Sequence, residues 1–239
     1  MYLNTGRWTD DELNRIIQQA SGIDDPGERI AHLSEHFLNT PYQESALIGS
    51  DHLEEELVID LSGLDCFTFL DYAEAMRLSR SFSDFQDRLK QVRYRGSLIS
   101  YRTRNHFFTD WAAFRSAFVR DATKETGKDR ARKLQKRLNR QEDGTLFLNG
   151  VEPVDRIITY IPADDIDEAM LKRLRSGDFA GIYSDSPGLD VSHVGIIIRV
   201  GTSLFLRHAS SSRDLRKVVD QDFTQYMKGK PGLIILRPL

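Results

Sequence analysis

The single cysteine of this chain, Cys66, stands in the segment Asp65-Cys66-Phe67-Thr68-Phe69, directly ahead of a run of helix formers. Ser62-Gly63 breaks the chain before it, and Leu70, Ala73 and Ala75 follow at positions that suit a helix. The spacing predicts a helix over 66–78 with Cys66 in its first turn. A thiol there faces backbone N–H groups that lack intrahelical partners, and the helix dipole favours its anion. That placement makes a nucleophile, with a thiol expected to ionise below the ~8.5 of a free cysteine. Position alone does not decide the matter, because unpaired cysteines are among the most buried side chains and most are inert. A base is required.

Two histidines meet that requirement. His193 heads the apolar run 193–200 after a loop of small and polar residues, and His208 closes the next run of strand character. The two runs read as a hairpin. With the turn at Val200-Gly201 the imidazoles stand directly opposite each other. With it at Gly201-Thr202, His193 stands opposite Ser210 and His208 becomes its diagonal neighbour. Either register puts both rings on one face, and a slip of one residue would separate them. Paired imidazoles suit a base and its orienter, one ring taking the thiol proton while the other fixes its tautomer.

The elements that must position these groups are legible from patterning. Thr9 with Glu12 makes a capping box before Leu13, Ile16, Ile17 and Ala20, and Asp25-Pro26 opens a second helix with Ile30, Leu33 and Phe37 on its buried stripe. Further helices are expected over 83–93 and 110–117, and the charge-rich stretch 120–140 reads as a solvated helix with Ala131, Leu134 and Leu138 inward. Beyond Asp143-Gly144 the pattern turns to strands, expected over 146–148, 156–161, 179–183, 193–200, 204–207 and 233–237. Helices first and strands later is the α+β arrangement of helices packed on a mainly antiparallel sheet. We read residues 1–239 as a single domain. Lys plus Arg, 33, nearly balance Asp plus Glu, 36, which removes the footprint of a nucleic-acid binder. No run approaches the ~18 apolar residues of a membrane span, and one cysteine excludes a disulfide within the chain.

The ordered signals Thr40-Pro41-Tyr42, Asp65-Cys66, Ser176-Gly177-Asp178, Ser192-His193-Val194-Gly195-Ile196 and Arg207-His208-Ala209-Ser210 resemble the NlpC-type papain-like cysteine peptidases and amidases of bacterial cell-wall metabolism. Asn105-His106-Phe107 and Asp110-Trp111, between the Cys and His motifs, resemble the N-acetylmuramoyl-L-alanine amidase-like branch. The resemblance covers most of the chain. It implies a papain-like fold with a helical insertion at about 80–175, Cys66 as nucleophile, His193 as base and His208 as orienter. Tyr42 matches the tyrosine beside the nucleophile. The implied substrate is a muropeptide or peptidoglycan, cut between muramic acid, with a liking for its anhydro form, and L-alanine, without metal or cofactor. Asp65 and Ser192 flank the catalytic pair, and Asn105, His106 and Trp111 lie in the insertion, so these five with Tyr42 are the expected substrate contacts. The nucleophile motif reads Asp-Cys-Phe-Thr where the wider superfamily often has Asp-Cys-Ser-Gly, so the wider family's peptide specificity is a poor guide.

Other readings compete. A γ-D-glutamyl endopeptidase of the same superfamily would use the same triad. His32-Leu33-Ser34-Glu35-His36 matches an inverted zinc-peptidase motif, yet the buried stripe of its helix turns both histidines toward solvent. A glycoside hydrolase would need two carboxylates ~5–9.5 Å apart, and candidates such as Asp110 or the stretch 51–56 read better as a cap and surface charge. A wall-fragment binding protein without catalysis would be expected to have lost part of the triad, which is complete here. The substrate implies a periplasmic or secreted protein whose signal peptide lies outside this chain; a cytoplasmic location is the alternative. The sequence carries no signal for an oligomeric state.

Overall fold

Caps at the residues expected from the sequence start the first helices. A computed structural model describes residues 1–114 and 117–239. After the short strand β1 (Tyr2–Asn4), Thr9 accepts from the Glu12 amide and opens α1 (Asp10–Ser21). Asp25 does the same through the Glu28 amide for α2 (Pro26–Glu35). β2 (Val58–Asp60) pairs in parallel with β1 and leads to α3 (Cys66–Leu78), against which α4 (Phe82–Arg93) packs.

Next come α5 (Asp110–Ala113), β3 (Val119–Asp121), α6 (Thr123–Gly127), β4 (Arg132–Leu138), β5 (Val154–Pro162) and α7 (Glu168–Leu171). The chain ends in β6 (Phe179–Tyr183), β7 (Val191–Val200), β8 (Ser203–Ala209), β9 (Val218–Asp222), α8 (Phe223–Met227) and β10 (Gly232–Pro238). The main sheet runs β4-β5-β10-β6-β7-β8-β9, antiparallel throughout, with β3 added alongside β10. This is an α+β fold. Alternate residues of the sheet enter two cores. Val194, Ile196 and Ile198 pack on the side of α1–α4, while Ile197, Leu206 and Leu233 pack on the side of α8. Among the described residues no helix is long and apolar enough to cross a membrane.

Three expectations change. The stretch 120–140 is not a helix: it forms β3, the single turn of α6 and β4. Leu134, Lys136 and Leu138 alternate inward on β4, and the charge at the middle position hid the period of two. Lys136 is buried because its ammonium donates to the carbonyls of Ser184, Ser186 and Leu189. The insertion is therefore as much strand as helix. The run 146–148 forms no strand, only an isolated bridge between Arg140 and Leu146. The helix expected over 110–117 is described only as Asp110–Ala113; residues 115 and 116 lie outside the described residues.

Helix α3 is buried on nearly every side. Phe69, Leu70, Tyr72, Ala73 and Ala75 are sealed from solvent, and so are its charges. Arg93 Nε donates to Asp71 Oδ2 at 2.7 Å, and its Nη1 donates to the Val58 carbonyl at 2.6 Å. Arg77 Nε donates to Glu74 Oε2 at 2.9 Å. Removing one partner of such a pair leaves an uncompensated charge in an apolar site. Arg93→Met is expected to lower unfolding stability by about 3–5 kcal/mol in urea titration. Asp71→Leu combined with Arg93→Met should recover most of the loss. A double variant as unstable as Arg93→Met alone would show that the stranded charge is not the cause.

Candidate active site

The Asp65 carboxylate accepts from the amides of Phe67 at 2.9 Å and Thr68 at 2.7 Å, and the Thr68 hydroxyl accepts from the Asp65 amide at 3.0 Å. This capping box makes Cys66 the first residue of α3, as expected. It leaves the Cys66 amide outside the cap, at the helix mouth. The thiol is half-buried. Its acidity is where the sequence reading fails. Burial and the neighbouring Asp65 carboxylate push it up to about 12, against the pull of the amides of Val194, Cys66 and Phe67. The helix start does offer donors, but the cap that fixes the helix claims two of them and sets a negative charge beside the sulfur. Cys66 rests as the neutral thiol.

The hairpin of β7 and β8 takes the second of the two registers. Val200 pairs with Ser203 and Ile196 with Arg207 across the turn Gly201-Thr202, where Gly201 has φ +60°. His208 therefore faces Gly195, two residues along from His193 on the same face. His193 Nε2 and His208 Nδ1 lie 2.7 Å apart with the ring planes at 90°. Gly195 provides the room, since a Cβ there would lie 3.0 Å from the Cβ of His208. On the other side of β7, Ile182 pairs with His193 but Tyr183 pairs with Val191, so Ser192 is the extra residue of a β-bulge. A bulge at this point re-aims the strand just before the catalytic candidate. Ser192 is exposed, and its hydroxyl donates to the Ile182 carbonyl at 3.4 Å.

Burial and the charge of His208 push His193 down to about 3, and burial lowers His208 as well. Both rings are neutral near pH 7. The far nitrogen of His208, Nε2, lies 2.7 Å from Gln221 Oε1 on β9. Tyr226 of α8 has its ring 5.1 Å from that of His208 and 6.3 Å from that of His193, and the nearby Cys66 helps to raise its phenol. Tyr42 also senses Cys66, and burial with the charges of Cys66 and Asp65 raises its phenol too. Both imidazoles lie on the α8 face of the sheet with Tyr226, the Cys66 thiol lies at the start of α3 near Tyr226 and Tyr42, and among the described residues no hydrogen bond joins the thiol to either ring. Sequence reasoning missed Gln221 and Tyr226, which sit in a strand and a short helix that carry no motif.

The insertion residues divide. Trp111 does not present a face to ligand: it is 1 % exposed and packs edge-on to Phe67, Phe118 and Phe179. It supports Phe67, the residue after Cys66. Asn105 is buried as well and donates from Nδ2 to the Val92 carbonyl at 2.9 Å, tying the insertion to α4. His106 does line a cavity of about 330 Å³, with Arg95, Arg102 and Phe114 among its neighbours. Burial pushes His106 down to about 4. His32 and His36 are half-buried and meet edge to face, with centroids 5.4 Å apart. Among the described residues no group of three or more His, Cys, Asp or Glu side chains is placed to hold a metal.

A family model described as AmiA-like, N-acetylmuramoyl-L-alanine amidase-like, matches residues 32–233. Among solved structures, an N-acetylmuramoyl-L-alanine amidase from Bacteroides uniformis ATCC 8492 is 26 % identical, with a TM-score of 0.72 over 87 % of this chain and 98 % of its own. A protein from Legionella pneumophila str. Philadelphia 1 shares the fold at 22 % identity, with a TM-score of 0.79 over 96 % of this chain and 94 % of its own. A Bacteroides fragilis protein bearing a provisional xylanase name is 27 % identical, with a TM-score of 0.68 over 85 % of this chain and 98 % of its own. No curated protein matches the chain.

The depressed histidine has a thermodynamic consequence. Between its unfolded value near ~6.5 and the folded value, the unfolded chain binds a proton that the folded chain refuses, so stability falls as pH falls. For His193 this window reaches down to about 3. Below pH ~6.5 the His193 contribution lowers the melting temperature while the raised carboxyls of Asp71 and Glu74 act the other way, so His193→Gln should shift the acid slope toward greater stability relative to wild type. An unchanged acid slope in the variant would contradict the burial argument.

Proposed function

The chain belongs to the AmiA-like family of N-acetylmuramoyl-L-alanine amidase-like proteins, a family of cell-wall hydrolases, and from this we propose that it cleaves the amide between N-acetylmuramic acid and L-alanine with Cys66 as nucleophile. The observation that carries the reading is the His193–His208 contact at 2.7 Å, with Tyr226 beside both rings and near the thiol at its capped helix start. The arrangement fits the papain-like plan of NlpC-type enzymes, in which a thiol at the mouth of a central helix meets an imidazole held on a sheet.

With neutral partners at rest, the charges have to be made together. As the sulfur attacks the lactyl carbonyl of the muramic acid, its proton passes to His193, and the thiolate character and imidazolium offset each other's burial cost. The Cys66 amide and the Tyr42 hydroxyl are the donors at hand for the oxyanion. His193 then gives its proton to the departing amine of L-alanine, leaving a thioester. Water, deprotonated by the same ring, attacks that thioester and releases the muramic carboxylic acid while the thiol is re-formed. No step asks for a metal. Among the charged residues of the insertion cavity Arg104 is held by Glu55 and Asp110 by Arg156, which leaves Arg95 and Arg102 beside Glu152 and the neutral His106 ring, a net positive lining that suits a carboxylate of the stem peptide.

Digestion of purified muropeptides tests the assignment. Mass spectrometry should show free stem peptide beginning with L-alanine, made equally well in EDTA and lost in Cys66→Ser or after alkylation. An L-alanyl-D-glutamate remnant on the sugar would make the enzyme a γ-D-glutamyl endopeptidase, and xylan cleavage without amide product would move it to the glycoside hydrolases. Arg102→Ala and His106→Ala should lower kcat/KM by about 10-fold or more while leaving the rate of Cys66 alkylation unchanged, because the polar groups of the substrate they would meet are then left unpaired. Equal loss of alkylation would place those residues in the catalytic machinery instead.

A further inference from the structure

We propose that Gln221 is a positioning residue that sets the tautomers of both histidines and thereby leaves the Nδ1 lone pair of His193 free for the thiol proton, an inference that rests on the Cys66–His193 reading above. Gln221 pairs with Leu206 across β8 and β9, two residues along from His208, so it shares the His208 face. Its Oε1 lies 2.7 Å from His208 Nε2. A carbonyl oxygen offers only lone pairs, so that nitrogen carries the hydrogen. In a neutral ring the other nitrogen, Nδ1, is then the acceptor. It faces His193 Nε2 at 2.7 Å, which must in turn be the donor. His193 is left with an unprotonated Nδ1, the only ring nitrogen in the chain of contacts that can accept a proton.

The opposite amide orientation would reverse every link. An N–H of Gln221 pointed at His208 would place the His208 hydrogen on Nδ1, turn His193 Nε2 into the acceptor and put a hydrogen on His193 Nδ1. The base would be gone. Orientation of one neutral amide therefore decides whether the pair works. No other nearby group takes this role. The Asp220 carboxylate is held by Arg207 at 2.7 Å, Tyr226 meets the His208 ring edge to face, and Lys230 lies close enough to disfavour a charge on either ring. Cys66 is the remaining titratable group near Tyr226 and the amide of Val194. A neutral amide in place of a carboxylate fixes geometry without making His193 a stronger resting base.

The test needs no substrate. Long-range 1H–15N spectra of histidine-labelled protein report which ring nitrogen is protonated, and iodoacetamide alkylation of Cys66 against pH reports base function. Wild type should show the Nε2–H tautomer at His193 and His208. Gln221→Leu should lose it at His208 and slow alkylation at neutral pH by about 10-fold or more, in the direction known for a triad whose orienter no longer selects the tautomer. Gln221→Glu, which keeps an acceptor, should restore tautomer and rate, with the pH midpoint of alkylation displaced because a carboxylate stabilises the imidazolium. A wild-type His208 protonated on Nδ1, or a leucine variant with unchanged spectra and rate, would overturn the proposal. Should Gln221→Leu fail to fold, the wild-type and glutamate spectra decide alone. Failure of the functional reading looks different: alkylation as fast in His193→Ala as in wild type would remove His193 as base while the tautomers stayed as assigned.

Discussion

Burial of α3 is the constraint on which the site depends. A helix packed on nearly all sides has no solvated face for its charges, so Asp71 and Glu74 must find arginines inside the protein, and burial still pushes them up to about 6 and about 7. Those pairs hold α3 against α4 through Arg93 and against the chain end through Arg77, which donates to the Leu239 carbonyl at 2.9 Å. Each fully buried Phe, Leu or Tyr adds about 1.5–3 kcal/mol to that hold. A helix fixed this firmly presents its N-terminus at one place. The thiol is located by the core, and the Asp65 cap only finishes the job.

The same burial sets the electrostatic style of the site. Low polarity around Cys66 and His193 moves the thiol up and the imidazole down, so both resting charges disappear. A solvated cysteine at a helix start would hold a standing thiolate. In the proposed mechanism the charges form together, attack and proton transfer proceeding at once so that neither ion is left alone in the interior. That makes the orientation of neutral groups, rather than fixed charges, the quantity the fold has to control, and it is why a hairpin register, a bulge at Ser192 and a glycine at 195 matter.

Much of this was legible from one sequence, for identifiable reasons. The caps at Thr9 and Asp25 are local hydrogen bonds, encoded within four residues, and they stand where patterning puts them, as does the start of α3 at Cys66. That both histidines share one face followed from period two alone; which of the two hairpin registers forms did not. The acidity of Cys66 did not, because desolvation is a property of everything packed around α3 and no local motif reports it. Trp111 shows the same limit from the other side: its type suits a ligand platform, and only the aromatic rings of Phe67, Phe118 and Phe179 reveal it as core. Gln221 was invisible because an amide two strands away becomes functional only through the pairing of β8 with β9.

The most charged stretch of the chain illustrates how far a positioning network extends. Lys136 sits at an inward position of β4, where an ammonium is tolerated because three backbone carbonyls from 184–189 and the face of Tyr183 surround it. Those carbonyls belong to the loop that feeds β7. Asp190, at the loop's end, accepts from the Thr109 amide at 2.7 Å and hydroxyl at 2.8 Å, and Thr109 in turn accepts from Arg156 on β5 at 3.0 Å. The insertion thus grips the segment that runs into Ser192 and His193 from two directions. Its strands do more than widen the sheet. They hold the approach to His193 as firmly as the buried helix holds Cys66, and in the proposed mechanism two neutral groups exchange a proton reproducibly only when both sides are held.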